Sequence, residues 1–143
     1  MKLSTKGKYA LYAMHYLAQR SGMGPQPLKA IAKSGVPELY LEQILGNLRR
    51  SGLLMTARGA QGGYRLAKSP GDITVGDIIE AAEGPVSLSE CVSEQLQCAK
   101  SGGCAAKQVW EKLTGSINTV LNGVTLADML AGQTCCENEV SEC

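Results

Sequence analysis

The chain has 143 residues, of which 44% are hydrophobic, and a formal net charge of +1. This length corresponds to one domain, or to one small domain with an accessory segment. No apolar run approaches the roughly eighteen residues that a membrane span requires. The charged, tyrosine-containing N-terminus lacks the apolar core of a secretory signal. We therefore expect a cytoplasmic protein with no membrane partner.

The small net charge conceals an asymmetry between the two halves of the chain. Residues 1–68 carry eleven lysines and arginines against two glutamates, a net charge of +9. Residues 69–143 carry three lysines against eleven acidic residues, a net charge of −8. A basic half of this kind is typical of a nucleic-acid-binding segment, and the acidic half is not expected to contact DNA.

The first predicted helix covers residues 6–20 and can be capped by Ser4 or Thr5. Its apolar stripe, at helical spacing, consists of Ala10, Leu11, Met14, Leu17 and Ala18. His15, the single histidine, lies at the edge of that stripe. A histidine in such a place more often packs than binds a ligand.

A helix-turn-helix follows, with its turn at Gly35 and its second helix between Pro37 and Gly52. The second helix has a buried stripe at helical spacing, formed by Leu41, Ile44, Leu45 and Leu48. The opposite face carries Gln43, Gly46, Asn47 and Arg50. Gln and Asn can pair bidentately with adenine, and Arg with guanine or phosphate. This helix is therefore predicted to be the recognition helix in a DNA major groove.

Two short strands, at residues 54–58 and 64–66, are predicted to form a wing joined by a glycine-rich turn that permits positive φ. Arg58 and Arg65 flank that turn. We predict that Arg58 reaches a minor groove or a phosphate; the alternative is a solvated surface charge. A capping-box pattern at Thr74 and Asp77 then starts a short helix. The predicted fold class is mainly α, with a winged helix-turn-helix domain at residues 1–86.

A long helix is predicted at residues 105–122. Its apolar residues step by three and four, as in a coiled-coil seam: Trp110, Leu113, Ile117, Val120 and Val124. Because the winged domain offers little surface to cover this stripe, we expect residues 105–131 to mediate dimerisation; the alternative is packing on its own domain. A homodimer would present two recognition helices to a palindromic double-stranded DNA operator. A flexible acidic tail is predicted at residues 132–143.

Six cysteines in a cytoplasmic chain argue against structural disulfides and for a metal, cluster or redox role. Three of them, Cys91, Cys98 and Cys104, lie in a polar loop at residues 87–104. Their spacing lacks the paired C-x2-C of a zinc ribbon, whereas three thiolates suit an iron–sulfur cluster with a weaker fourth ligand. Zinc and plain reactive thiols remain alternatives. Cys135, Cys136 and Cys143 have no assigned role.

Three stretches resemble the iron–sulfur cluster regulator (IscR-type) branch of the Rrf-type winged-helix transcription factors: LSTKGKYALYAM, YLEQILGNLRRSGLL and RGAQGGYRL. With the cysteine loop and the Trp110 helix, the resemblance covers about residues 1–131. It implies a homodimeric regulator whose cluster is held by Cys91, Cys98 and Cys104. It also implies DNA contacts by Tyr40, Glu42, Gln43 and Arg58. Glu42 could accept a hydrogen bond from cytosine N4.

The fourth cluster ligand is open. The resembling regulators use a histidine three residues after the last cluster cysteine, but this chain has Lys107 at that position. Nitric-oxide-sensing relatives can use an aspartate at the start of the first helix, but this chain has Lys8 there. The candidates that remain, from either subunit, are His15, Glu90, Glu94 and a cysteine of the tail. A 2Fe–2S cluster is favoured and a 4Fe–4S cluster is possible.

The sequence therefore predicts a cluster-dependent, sequence-specific DNA-binding transcriptional regulator that senses iron–sulfur, redox or nitric oxide status. The alternative is a cluster-free winged-helix repressor controlled by thiol oxidation or by a partner protein. An enzyme with a small-molecule substrate is not expected, because the chain has no C-x-x-C pair, a single histidine and no phosphate-binding loop.

Overall fold

The computed structural model describes residues 4–86 and 105–138. These residues form six α-helices and one antiparallel two-stranded sheet. In chain order they are α1 (Thr5–Gln19), α2 (Leu28–Ile31), α3 (Glu38–Arg50), β1 (Leu54–Ala57), β2 (Gly63–Leu66), α4 (Val75–Glu83), α5 (Ala105–Gly123) and α6 (Leu126–Asn138). The predicted fold class, mainly α with a small β-wing, is confirmed. No helix in these two ranges is both long and apolar enough to span a membrane.

Helix α1 is the central element of the core. It packs against α3, α4 and α6, and Ala10, Ala13 and Met14 on its inner face are fully buried. The inner face is shifted from the prediction, because Ala13 belongs to it and Leu11 is only half-buried. A helix that contacts neighbours on several sides buries a wider arc than the single stripe that was predicted.

The helix-turn-helix consists of α2, a 3-10 turn at Ala32–Ser34 and α3. Gly35 takes a φ of 98° between the two helices, a conformation in which a side chain would be strained. Pro37 is the N-cap of α3, and the helix itself begins at Glu38. The predicted apolar stripe of α3 is buried at all four positions: Leu41, Ile44, Leu45 and Leu48. The inner face of α3 is thereby fixed against the core, which determines the face that points outward.

The wing is a hairpin in which Leu54 pairs with Leu66 and Ala57 with Gly63. Gln26, in the loop before α2, pairs with the edge of this hairpin through two backbone hydrogen bonds of 2.8 Å with Tyr64. Gly63 is required at this junction, because a Cβ there would collide with the backbone carbonyl of Gln26. The wing is therefore tied to the start of the helix-turn-helix.

Two capping boxes organise the C-terminal helices. Thr74 and Asp77 form the predicted box at the start of α4, and Thr125 and Asp128 form a second box at the start of α6. Leu126, the first residue of α6, is fully buried in the common core. Part of the C-terminal region therefore packs on the winged domain.

Helix α6 continues through Asn138, so the predicted tail boundary at residue 132 falls inside a helix. Gly132 does not stop α6 because its φ is not positive. Helix α5 ends at Gly123, which leaves Val124 just outside the helix to which its stripe was assigned.

Candidate nucleic-acid interface

The outward face of α3 is formed by Leu39, Gln43, Gly46 and Arg50, which follow one another at helical spacing opposite the buried stripe. We call these four residues the recognition face. A Cβ added at Gly46 would meet only the Arg50 guanidinium, at 3.9 Å. Packing within the chain therefore does not require this glycine. Because Gly46 has no side chain, the recognition face has a depression there, where another molecule can come close to the helix backbone.

Asn47 and Arg50 are brought together by the structure. The Arg50 Nη2 donates a hydrogen bond to the Asn47 Oδ1. Asn47 is half-buried beside the recognition face and Arg50 is exposed at the C-terminal end of α3. The hydrogen bond holds the guanidinium along the helix and leaves its other N–H groups free to face a base or a phosphate.

Tyr40 and Glu42 lie on opposite flanks of the recognition face. The Tyr40 ring is half-exposed and sits 6.1 Å from the ring of Tyr9 in α1, at an interplanar angle of 39°. Glu42 is exposed on the other flank. The two flanks therefore differ chemically, with an aromatic pair on one side and a carboxylate on the other.

A cleft of about 720 Å³ opens beside Tyr40, between the start of α1, helix α3 and the end of α4. Glu83, the last residue of α4, accepts hydrogen bonds there from the Ser4 hydroxyl and from the Gly7 backbone N–H, the latter at 3.0 Å. Ser4 is the N-cap residue of α1, but its side chain makes no capping hydrogen bond. The local cap predicted at Ser4 or Thr5 is thus replaced by a carboxylate from a distant helix.

No carboxylate among the described residues forms a salt bridge with the basic groups around this surface. In the described parts of the chain, the one salt bridge is Lys107–Glu111 in α5, at 3.8 Å. Lys6 and Lys8 are exposed near the start of α1, and Arg58 is exposed directly after β1. These cations are available to the phosphates of a nucleic acid.

Comparison with known proteins identifies the kind of molecule that carries this surface. Residues 3–132 match the Rrf2 family, described as an iron-dependent transcriptional regulator. The chain belongs to the Rrf2 family. The recognition of this family from the sequence is confirmed.

Two kinds of regulator are similar to this Rrf2-family chain. The HTH-type transcriptional regulator CymR of Bacillus subtilis is 41% identical over 130 residues, which cover 90% of this chain and 89% of CymR. The HTH-type transcriptional regulator IscR of Aliivibrio salmonicida is 35% identical over 143 residues, which cover 99% of this chain and 82% of that protein. These relatives are named transcriptional regulators and not enzymes, as predicted.

Two solved structures share the fold at high identity. The structure of T. potens IscR matches this chain with a TM-score of 0.77 and 44% sequence identity, and the match covers 100% of this chain and 94% of the T. potens chain. The structure of CymR, the global cysteine regulator of B. subtilis, has a TM-score of 0.76 and 41% identity, with coverages of 92% and 97%. Like other members of this regulator family, the protein is a DNA-binding transcriptional regulator.

Most of the predicted cluster ligands lie outside the described residues. This applies to the three cysteines and to both candidate glutamates: Cys91, Cys98, Cys104, Glu90 and Glu94. His15 is half-buried in α1. Among the residues whose side chains the structure describes, 4–86 and 105–132, no group of three or more histidine, cysteine or acidic residues is placed to hold a metal ion. The ligand assignment therefore stays a prediction.

The apolar stripe of α5 is largely uncovered in the single chain. Trp110, Leu113 and Val120 are exposed, whereas Ile117 is half-buried. Val124, beyond the helix end, is also half-buried, and its carbonyl accepts a 2.8 Å hydrogen bond from the Val75 N–H. The exposed part of the stripe is the surface on which the dimer prediction depends.

Sequence reasoning missed three residues of these surfaces. Leu39 and Val109 are exposed apolar side chains, and Glu83 caps α1. Counting four residues back from Gln43 would have found Leu39, and Val109 directly precedes the Trp110 stripe. The role of Glu83 has no local signal, because its partner Gly7 is 76 residues away in the chain.

Proposed function

We propose that this Rrf2-family protein is a homodimeric, sequence-specific regulator whose operator affinity is set by an iron–sulfur cluster on Cys91, Cys98 and Cys104. The observation that carries the DNA-reading part is the exposed recognition face of α3 beside cations that no described carboxylate neutralises. The cluster part is supported by the three cysteines and by the similarity to regulators named IscR over almost the whole chain.

In this proposal α3 lies in the major groove and the wing follows the backbone. Gln43 would pair with adenine, and Arg50, which is hydrogen-bonded to Asn47, would pair with guanine or contact a phosphate. Glu42 accepts from cytosine N4 and repels phosphate, so that it contributes selectivity rather than affinity. Arg58 contacts the phosphate backbone of the DNA, or its minor groove, beside the wing.

The dimer is proposed to form through the exposed stripe of α5. Burying Trp110, Leu113 and Val120 against a second copy removes apolar surface from water on both chains. A two-fold dimer sets two recognition faces on one side of the DNA, with half-sites about one helical turn apart. A palindromic operator follows from this symmetry.

The donor set in residues 87–104 fits an iron–sulfur cluster, because three thiolates are the ligands that such clusters prefer. His15, Glu90 and Glu94 remain candidates for the fourth position. When bound, the cluster supplies a centre that responds to iron supply, oxidation or nitric oxide. A change in the cluster would then alter DNA binding through α4, α1 and the recognition face.

A change at the cluster would reach the DNA-contacting helix through the end of α4. Residues 87–104 come shortly after α4 in the sequence, and Glu83, the last residue of α4, accepts hydrogen bonds from Ser4 and Gly7 at the start of α1. The cleft beside this contact is also lined by Tyr40 and Gln43. A displacement of the end of α4 would therefore move α1 relative to the recognition face. A coupling of about 1–3 kcal/mol between the two sites would be typical.

The test is the optical spectrum, with iron and sulfide analysis, of protein purified without oxygen. We expect visible absorption with matched iron and sulfide, and we expect Cys98→Ala to lose both while the protein stays folded. Ser101→Ala, which changes the same segment without removing a candidate ligand, is the matched control and should keep the absorption. A Cys98→Ala protein with full absorption would refute the ligand assignment.

A second candidate function is favoured by the similarity to CymR, whose structure is described as that of a global cysteine regulator. In this reading the protein is a cluster-free regulator controlled by thiol oxidation or by a partner protein. Colourless protein that contains no iron even after reconstitution, yet still binds its operator, would support this function over the first.

A further inference from the structure

Leu39 is the most exposed large apolar side chain among the described residues, with 84% of its surface accessible. It is the second residue of α3 and takes no part in the hydrophobic core. An isolated exposed leucine on a protein surface needs no explanation. The position of Leu39, however, is specific, since it lies one turn before Gln43 at the N-terminal end of the recognition face.

The N-terminal residues of a recognition helix are those that contact base edges in the major groove. A leucine side chain has no hydrogen-bonding group, so it can only make apolar contacts with a base. The thymine 5-methyl is the apolar group that base pairs present in the major groove. In the major groove, the thymine methyl is therefore the group that Leu39 can contact favourably, whereas Gln43 and Arg50 can hydrogen-bond to polar base edges.

We propose that Leu39 contacts a thymine methyl group and so specifies thymine at one position of each operator half-site. This inference rests on the proposed sequence-specific DNA binding and adds a residue that determines specificity. Truncating Leu39 should not affect folding, because the side chain is almost fully solvated in the free protein. The contact is made only in the complex.

The size of the effect follows from the loss of one apolar contact. Replacing the thymine by deoxyuridine removes only its methyl group and keeps base pairing. The loss of one buried methyl-sized group corresponds to about fourfold weaker binding. The Leu39→Ala variant makes no such contact and should bind both DNAs equally.

The experiment begins with selection of an operator from random duplex DNA by the full-length protein. Each thymine is then replaced by deoxyuridine in turn, and affinity is measured by fluorescence anisotropy at one fixed salt concentration. Met23→Ala, which truncates another exposed apolar side chain (72% accessible) in the loop before α2, is the matched control.

We expect one thymine per half-site at which deoxyuridine weakens the wild type and Met23→Ala about fourfold and leaves Leu39→Ala unchanged. Wild-type affinity that is insensitive to deoxyuridine at every thymine would overturn the role of Leu39 alone. Equal sensitivity of Leu39→Ala would also overturn it. Failure to enrich any sequence would overturn the proposed sequence-specific binding together with this inference.

Discussion

The contact between Glu83 and the start of α1 allows a quantitative prediction. Removing the carboxylate in Glu83→Ala leaves the Gly7 N–H, one of the unpaired donors of the first helical turn, without its partner. A capping oxygen contributes about 0.5–2 kcal/mol, and a negative charge at a helix start about 0.3–1 kcal/mol. Because Glu83 is exposed, we expect the lower part of these ranges. A loss of about 1 kcal/mol in the free energy of unfolding lowers Tm by roughly 3–5 °C for a chain of this size.

The assay is urea denaturation followed by circular dichroism, with hydrogen exchange at the Gly7 amide as a local measure. Glu80→Ala is the matched control, because it removes another exposed carboxylate from the same helix. Glu83→Gln keeps an acceptor oxygen without the charge and should fall between the wild type and Glu83→Ala. Equal unfolding free energies for Glu83→Ala and Glu80→Ala, with unchanged exchange at Gly7, would refute the capping role.

Three further predictions concern the core, the wing and α5. Leu45→Ala, at a fully buried position of α3, should lower the free energy of unfolding by about 2–5 kcal/mol; a loss below 1 kcal/mol would contradict the packing described here. Arg58→Ala should weaken operator binding and reduce the slope of log affinity against log salt by about 1, and an unchanged gel-shift titration would count against a wing contact. Trp110→Glu should convert the proposed dimer to a monomer in sedimentation experiments, because it places a charge in the proposed apolar interface. Gln108→Glu, exposed on the other side of the same helix, should leave the dimer intact.

Much of the winged domain could be predicted because its elements are defined by neighbouring residues. The stripe of α3 was predicted correctly at all four positions, since helical periodicity depends only on spacing along the chain. The capping box at Thr74 and Asp77 was found for the same reason. The outward placement of Gln43 and Arg50 follows from the stripe on the opposite side.

Other features depended on distant partners. The stripe of α1 was misplaced at Leu11 because contacts on several sides bury a wider arc, which includes Ala13. The predicted start of the tail at residue 132 falls inside α6, because Gly132 does not adopt the positive-φ conformation that commonly ends a helix.

The sequence by itself determined the family, the class of fold and the face of α3 that points away from the core. The family followed from the resemblance of three sequence stretches to known regulators. The fold class and the outward face of α3 followed from local spacing and residue chemistry, which need no knowledge of long-range contacts. Only the tertiary structure decided that Glu83 caps α1 and that Gln26 fastens the wing at Tyr64. It also decided that Leu39 is largely exposed at the N-terminal end of the recognition face. Contacts between residues far apart in the chain, and the exposure that remains once they are made, are properties of packing that no local pattern encodes.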